Sequence, residues 1–147
     1  MGPSDLDELY DARILDHART PRHSDKVGSP DAEGSAVNPF CGDEAHIQLA
    51  LEEGRVAGIG VQSVGCSINR ASASMLSVAV LGKSSGEAVE VERRFRRLMD
   101  GGTLSLDETV SLSELTALES VRAFPVRIKC ALLPWTALEE ALEDVHS

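Results

Sequence analysis

Three cysteines and one aspartate are the residues of this 147-residue sequence whose types and positions suggest chemistry. Cys41 lies in the segment NPFCGD, two residues before Asp43, among residues that favour turns. Cys66 follows Gly65, where an extended apolar run gives way to small residues, and Cys130 lies near the start of the last apolar stripe. Each cysteine thus falls at the end of a predicted element. Core cysteines more often lie in the middle of an apolar stripe, so these positions suggest ligands or nucleophiles.

Thiolates and a carboxylate at these positions could bind a metal ion. Cys41, Cys66 and Cys130 together with Asp43 would complete a tetrahedral shell, and zinc accepts sulfur and oxygen donors without a strong geometric preference. The backbone N–H groups of a helix that begins after Cys66 would also stabilise a thiolate there. The sequence contains no Cys-x-x-Cys pair, however. Spacing alone therefore leaves a second interpretation open, namely three unrelated buried thiols.

The composition limits the class of protein and its partners. With 42% hydrophobic residues, the sequence can bury one core, and we predict a single domain over residues 1–147. The formal charge of −10 disfavours a nucleic acid or an anionic membrane surface as a partner. No segment approaches the roughly 18 apolar residues of a membrane-spanning helix. Three widely spaced cysteines suit reduced thiols rather than a secreted disulfide framework, so we predict a cytoplasmic protein.

The main basic cluster is RRFRR at residues 93–97. Glu90 and Arg94 are spaced to form an ion pair one helical turn apart, as are Glu92 and Arg96. We therefore predict a solvated helix face whose charges pair with one another, rather than a docking surface for nucleic acid.

Alternating apolar residues predict an antiparallel hairpin. Apolar residues alternate with others over 47–51, Glu53-Gly54 suits a tight turn, and a second extended run covers 56–64. The segment 22–39 is rich in Gly, Pro, Ser and Asp and predicts a long loop. Within it, a short edge strand is predicted around 35–37.

Apolar periodicity and capping residues predict five helices, which cover residues 5–18, 67–81, 84–99, 111–121 and 125–147. Ser84 with Glu87, and Ser111 with Glu114, have the spacing of capping boxes. Pro134 lacks a backbone N–H, so we predict that it interrupts the last helix.

Four segments together resemble the SufU and IscU family of iron–sulfur cluster assembly proteins. They are LYDARILDHARTPRH (9–23), NPFCGD (38–43), GCSINRASASML (65–76) and FPVRIKCALLPW (124–135). The SufU branch is more similar, because the long interval between Cys66 and Cys130 contains a region, 84–120, that resembles an extra helical segment of that branch. Position 129 agrees, since IscU-type scaffolds carry His before the third cysteine and this sequence has Lys129.

The resemblance implies an α+β fold in which helices cover a small antiparallel sheet of about three strands. It also implies a zinc ion held by four residues, which are Cys41, Asp43, Cys66 and Cys130. SufU members are similar to zinc-bound sulfur acceptors for a cysteine desulfurase that depends on pyridoxal phosphate. By this resemblance Cys41, on a loop, is the acceptor. Arg127 lies one helical turn before Cys130 and could stabilise a thiolate freed from the metal.

These observations lead to one main hypothesis for function. The protein is expected to be a zinc-dependent sulfurtransferase that takes persulfide sulfur from a SufS-like cysteine desulfurase and passes it to downstream iron–sulfur assembly proteins. A second hypothesis is a scaffold on which the same cysteines hold a transient [2Fe–2S] cluster, and Lys129 in place of His argues against it. A third is a zinc ion whose role is structural.

Two positions depart from the family pattern. Pro134 lies four residues after Cys130 and is expected to kink the helix beside this ligand. Asn69-Arg70 stands where the SufU branch commonly has Ser-Met. Arg70 is therefore expected either to influence the Cys66 thiolate or to face solvent.

Overall fold

The computed structural model describes residues 11–40 and 42–146. Its sheet has three antiparallel strands in the order β1-β2-β3, with β1 over Ala32–Val37, β2 over Glu44–Glu52 and β3 over Arg55–Val64. The turn between β2 and β3 consists of Glu53 and Gly54, both with positive φ. Two such residues match the right-handed twist of a hairpin. The predicted hairpin is thus confirmed, and the predicted edge strand is confirmed but begins three residues earlier.

The register places one row of apolar side chains on the inner face of the sheet. Ile47 pairs with Val61 and Leu49 pairs with Ile59, and all four side chains are buried. The alternate residues of each strand point to the opposite, outer face. The hydrophobic alternation in the sequence therefore determines which face the helices cover.

Within residues 11–40 and 42–146, the sheet is accompanied by five α-helices and one 3-10 helix. They are α1 (Ala12–Arg19), α2 (Ser67–Val80), α3 (Ser85–Met99), α4 (Leu106–Leu112), the 3-10 helix (Ser113–Ala123) and α5 (Pro125–His146). None of the helices in the described part of the chain has the length and apolar content that a membrane crossing requires. The architecture is α+β, as expected.

Within the described residues, the helix predicted over 5–18 is present as α1, with Asp11 as its N-cap. α1 starts at Ala12, and the Asp11 carboxylate caps it by accepting the backbone N–H of Arg13 at 2.7 Å. The predicted residues 5–10 lie outside the described residues.

Helix α5 packs closely on the sheet and supplies the centre of the core. A Cβ atom on Gly34 in β1 would lie within 2.0 Å of the carbonyl oxygen of Ala137, so only glycine permits this contact between strand and helix. Trp135 of the same helix is fully buried and stacks on Phe95 of α3, with ring centroids 4.7 Å apart.

The second predicted capping box is wrong. Ser105 and Glu108, not Ser111 and Glu114, cap the helix after the 101–104 loop, through reciprocal side-chain to backbone hydrogen bonds. The hydroxyl of Ser111 instead donates to the carbonyl of Glu108 at 2.6 Å. Both pairs have the same Ser-x-x-Glu spacing, so the local pattern cannot distinguish them. An ion pair at 2.9 Å between Glu108 and Arg97 of α3 favours the earlier pair.

The predicted interruption at Pro134 is also wrong, because α5 continues through this residue. A proline inside a helix removes one hydrogen bond, here the one that residue 134 would donate to the Cys130 carbonyl. The Ser72 hydroxyl of α2 donates to the adjacent carbonyl of Ala131 at 2.5 Å. Packing against α2 and the sheet therefore maintains the helix that the local sequence would break.

The charges of the basic cluster pair within the chain, as predicted, although one partner differs. Arg96 pairs with Glu92 at 2.9 Å. Glu90 pairs with Arg93 at 2.9 Å rather than with Arg94, which contacts a carboxylate of α4 at 3.9 Å. The helix face is thus neutralised by the carboxylates around it.

Candidate metal centre

Asp43, Cys66 and Cys130 come together at one end of the sheet. Asp43 immediately precedes β2, Cys66 lies between β3 and α2, and Cys130 lies in the second turn of α5. One carboxylate oxygen and the two sulfur atoms all lie within 4.8 Å of one another. Among residues 11–40 and 42–146, no other group of His, Cys, Asp and Glu side chains converges in this way. The fold thus brings together three of the four predicted ligands.

The fourth predicted ligand, Cys41, lies outside the described residues. The chain on either side of it belongs to a hydrogen-bonded loop over 38–43. The backbone N–H of Asn38 donates to the carbonyl of Asp43, and that of Gly42 donates to the carbonyl of Asn38, both at 2.8 Å. Gly42 has a φ of +76°, which glycine adopts readily. These bonds keep Phe40 and Gly42 close in space to Asp43.

A close approach between Gly65 and Asp43 positions the carboxylate. A Cβ atom on Gly65 would lie 2.3 Å from both Cγ and Oδ1 of Asp43, and Gly65 has a φ of +135°. Only glycine combines this backbone conformation with the necessary space. The backbone N–H of Cys66 also donates to Oδ2 of Asp43, at 3.5 Å. The residue before the second cysteine therefore determines where the carboxylate can lie.

Cys66 is the N-cap residue of α2, but its sulfur does not cap the helix. Its backbone is extended, with φ −72° and ψ 165°, and its side chain makes no capping hydrogen bond. The predicted contact between this sulfur and the helix amides is therefore not formed. The sulfur lies instead beside Asp43 and Cys130.

Asn69 is a buried supporting residue whose role the sequence did not reveal. Its side-chain amide donates to the carbonyls of Glu44 and Val64, each at 3.1 Å. It thereby joins the first turn of α2 to the start of β2 and the end of β3, next to two of the clustered residues. The sequence signal that could have identified Asn69 is its position three residues, or about one helical turn, after Cys66. The neighbouring Arg70 is exposed, in agreement with the solvent-facing alternative.

The pKa of the Cys130 thiol is raised to about 12, chiefly by burial, because desolvation disfavours the thiolate. A hydrogen bond with Cys66 and the negative charges of Cys66 and Asp43 contribute to this rise. A hydrogen bond from the Arg127 side chain has the opposite effect and lowers the pKa. The Arg127 side chain therefore lies within hydrogen-bond reach of Cys130.

The chemistry of the three side chains fits a divalent cation. Two thiols and one carboxylate would repel one another if all were ionised in a buried site, and a cation between them would remove that repulsion. Sulfur and oxygen donors in a set of this kind suit zinc. A fourth ligand, which Cys41 would supply, completes the number of ligands that a structural zinc site uses.

Lys129 contacts the loop that carries Cys41. Its Nζ lies 5.8 Å from the centroid of the Phe40 ring, within the range of a cation–π interaction. The sequence identified Lys129 only as a residue that differs from IscU-type scaffolds. The structure adds a contact between α5 and the residue immediately before Cys41.

The chain is similar to a known protein family. The pattern of the NifU-like N terminal domain matches residues 9–131 and thus includes the described cluster.

Two relatives are similar over nearly the whole chain. The zinc-dependent sulfurtransferase SufU of Bacillus subtilis is 36% identical over 139 residues, which cover 95% of this chain and 92% of the relative. The iron–sulfur cluster assembly scaffold protein IscU of Streptococcus pyogenes serotype M1 is 35% identical over 143 residues, covering 97% and 88%.

A solved structure shows the same fold. It is the crystal structure of a protein from Fervidobacterium islandicum AW-1 that is named as an iron–sulfur cluster assembly scaffold for the SUF system. It superposes with a TM-score of 0.85 at 26% identity, over 92% of this chain and 98% of that chain.

Proposed function

This chain belongs to the NifU-like N terminal domain family, and from that membership we propose that it is a zinc-dependent sulfurtransferase. It would accept persulfide sulfur from a cysteine desulfurase and pass it on for iron–sulfur cluster assembly. The observation that carries the proposal is the convergence of Asp43, Cys66 and Cys130 within 4.8 Å, beside the loop that contains Cys41. The similarity to a SufU protein named as a zinc-dependent sulfurtransferase supports it.

Zinc would be held by Cys41, Asp43, Cys66 and Cys130. When bound, it would supply positive charge that favours the thiolate form of its cysteine ligands. Gly65 leaves room for the Asp43 carboxylate, and Asn69 holds together the ends of the elements that carry the ligands.

Cys41 is the proposed sulfur acceptor. Its thiolate would attack the outer sulfur of the desulfurase persulfide, forming a new S–S bond while the original S–S bond breaks. The desulfurase cysteine leaves as a thiolate, so the two proteins exchange one sulfur atom without a net oxidant or reductant. Cys130 suits this role poorly, because it is 3% exposed and burial raises its pKa. A cysteine in the segment between β1 and β2 is better placed to meet the persulfide of a protein partner.

Arg127 is proposed to stabilise Cys130 when the ligands rearrange during transfer. Its hydrogen bond to the Cys130 side chain favours the thiolate. The guanidinium remains protonated at all physiological pH values, so this support does not depend on pH.

The second candidate function is a [2Fe–2S] scaffold, and the similarity to a protein named as an IscU scaffold favours it. The same thiols would then hold iron as cargo. Lys129 offers an ammonium, which is not a metal ligand, at the position where IscU-type scaffolds carry His.

Metal analysis of protein purified without chelator, with absorption spectra of the same sample, separates the two functions. We expect about one zinc per chain and no visible charge-transfer bands. A brown sample that retains iron and sulfide would support the scaffold.

The sulfur-transfer proposal is tested with Cys41→Ser. A cysteine desulfurase is assayed for turnover in the presence of each variant, and the added sulfur is mapped by mass spectrometry. We expect Cys41→Ser to abolish both the stimulation of turnover and the persulfide on this chain, because a serine hydroxyl is not appreciably ionised near neutral pH.

The zinc content of each variant is the necessary control, since loss of metal could mimic loss of chemistry. A Cys41→Ser protein that keeps its zinc and stimulates normally would indicate a structural site. Persulfide mapped to Cys66 or Cys130 in this active variant would assign the acceptor role to that residue instead.

A further inference from the structure

Exposed apolar side chains concentrate at the end of the molecule that carries Asp43, Cys66 and Cys130. Seven large apolar side chains are exposed in the described part of the chain, and four of them are Val37, Phe40, Val64 and Val126. We call these four residues the apolar rim. Exposed apolar side chains are unremarkable when scattered singly, but several around one functional site indicate a surface that becomes covered.

Strand pairing or a hydrogen bond places three of the rim residues next to the proposed site. Val37 and Val64 lie in one cross-strand row on either side of Glu44, the residue after Asp43. The carbonyl of Val126 accepts a hydrogen bond from the Cys130 thiol, with 3.8 Å between sulfur and oxygen. The rim is thus formed by the ends of β1 and β3, the loop after β1 and the start of α5, near the proposed ligands Asp43, Cys66 and Cys130.

Phe40 is the most exposed member, at 90%, and makes one backbone contact and one ring contact within the chain. Its backbone N–H donates to Oδ1 of Asn38 at 3.0 Å, and Lys129 lies against its ring. An aromatic side chain has few rotatable bonds and therefore loses little conformational freedom when a partner buries it. Aromatic side chains in such positions commonly dominate the affinity of an interface.

We propose that Phe40 is the anchor by which the persulfide-bearing desulfurase docks, with Val37, Val64 and Val126 forming the surrounding contact. This inference rests on the proposed function, because direct transfer between two cysteines requires the donor surface to cover the acceptor loop. The donor pocket for Phe40 is apolar. A carboxylate at its edge faces Lys129, whose ammonium lies beside the Phe40 ring.

The test measures binding and sulfur transfer separately. A fluorescently labelled desulfurase is titrated with the wild-type protein, Phe40→Ala and Leu106→Ala, and persulfide on Cys41 is quantified at saturation. Leu106 is the matched control, because it is 80% exposed but belongs to α4. We expect Phe40→Ala to raise the dissociation constant by about tenfold or more, as for an interface hot spot. Zinc content and the saturating yield of persulfide should not change, and Leu106→Ala should bind like the wild type.

Equal affinity of Phe40→Ala and wild type for the desulfurase would overturn the docking inference, as would a wild-type protein that does not bind. Sedimentation of the protein alone tests another occupant of the rim, a second copy of this chain. Self-association that Phe40→Ala abolishes, with desulfurase binding unchanged, would also overturn the inference. A wild-type protein that binds through Phe40 but acquires no persulfide would overturn the proposed function and leave the docking surface intact.

Discussion

Gly65 and Asp43 are so close that a Cβ atom on Gly65 would lie 2.3 Å from the carboxylate carbon of Asp43. Gly65, immediately before the second cysteine, and Asp43, two residues after the first cysteine, therefore constrain each other's position. The space that a side chain would need at position 65 holds the carboxylate, and the backbone at this position has a φ that favours glycine. This relationship provides the most direct structural test of the proposed zinc site.

Gly65→Ala should weaken zinc binding without removing any ligand. The methyl group must displace the Asp43 carboxylate, and alanine at positive φ costs about 1–3 kcal/mol. We expect zinc to transfer to a competing chelator at a concentration at least about tenfold lower than for the wild type, since about 1.4 kcal/mol corresponds to a factor of ten.

Gly86→Ala is the matched control for this substitution. Gly86 lies in α3, and a Cβ there would contact nothing within 4 Å. We expect normal zinc retention and a slight gain in stability, because alanine favours the helix. Equal zinc retention by Gly65→Ala and Gly86→Ala would mean that the Gly65 contact does not position a ligand.

Asp43→Ala should release zinc before it unfolds the protein. A carboxylate oxygen in a mostly sulfur shell is the weaker donor, and its removal leaves all three thiols in place. Zinc loss is followed with a colorimetric chelator, and the fold by circular dichroism on the same sample. Glu44→Ala removes the next carboxylate, which is exposed, and should retain zinc. Zinc retention in Asp43→Ala that matches Glu44→Ala would exclude Asp43 as a ligand.

Glu92→Gln should change how stability depends on pH. Burial raises the pKa of the Glu92 carboxyl above 4.5, and Glu139 raises it further while Arg96 lowers it. The folded state therefore favours the protonated form, and this contribution is lost as the pH rises through the folded pKa. We expect Glu92→Gln to be more stable than the wild type at pH 7, with a difference that disappears toward pH 4.

Calorimetric Tm values between pH 4 and pH 7 measure this effect, and each 1 kcal/mol corresponds to roughly 2–4 °C for a chain of this size. Glu90→Gln is the control, because its side chain is about half exposed and pairs with Arg93 on the surface. A Glu92→Gln protein that is less stable than the wild type at pH 7 would mean that the ion pair with Arg96 outweighs the cost of burial.

Ser72 and Trp135 should be coupled energetically. The indole N–H of Trp135 donates to the Ser72 hydroxyl at 3.0 Å, and that hydroxyl donates to the Ala131 carbonyl. Ser72→Ala leaves buried polar groups without partners and should cost about 1–3 kcal/mol. Urea unfolding of Ser72→Ala, Trp135→Phe and the double variant gives the coupling. If the losses in unfolding free energy of the two single variants add up to that of the double variant, the hydrogen bond between Trp135 and Ser72 contributes nothing to the position of α5.

Several elements could be predicted because their signals are local. The hairpin follows from alternating apolar residues and from Glu53-Gly54, which tolerates the positive φ of a tight turn. The start of α3 follows from Ser84 and Glu87, whose reciprocal hydrogen bonds need only the residues between them. The paired charges around Arg96 follow from helical spacing. These interactions join residues within a few positions of each other, and the pattern alone was sufficient.

The same local rules failed where packing decides between alternatives. Ser105 and Ser111 both precede a glutamate at the spacing of a capping box, and contacts with α3 favour the first. Pro134 is a local helix breaker, yet α5 continues through it, because the buried face of the helix packs against the sheet and α2. The energy of these distant contacts exceeds the local preference.

By itself, the sequence determined the antiparallel hairpin and the charge pattern of the surface, and its family resemblance supplied the four proposed ligands. Only the tertiary structure decided that the Asp43 carboxylate occupies the space beside Gly65, and that Lys129 lies against Phe40. These pairs are separated by many residues, so no periodicity or spacing relates them. Their distances result from the packing of α5 and α2 on one sheet, which is a property of the whole core rather than of any segment.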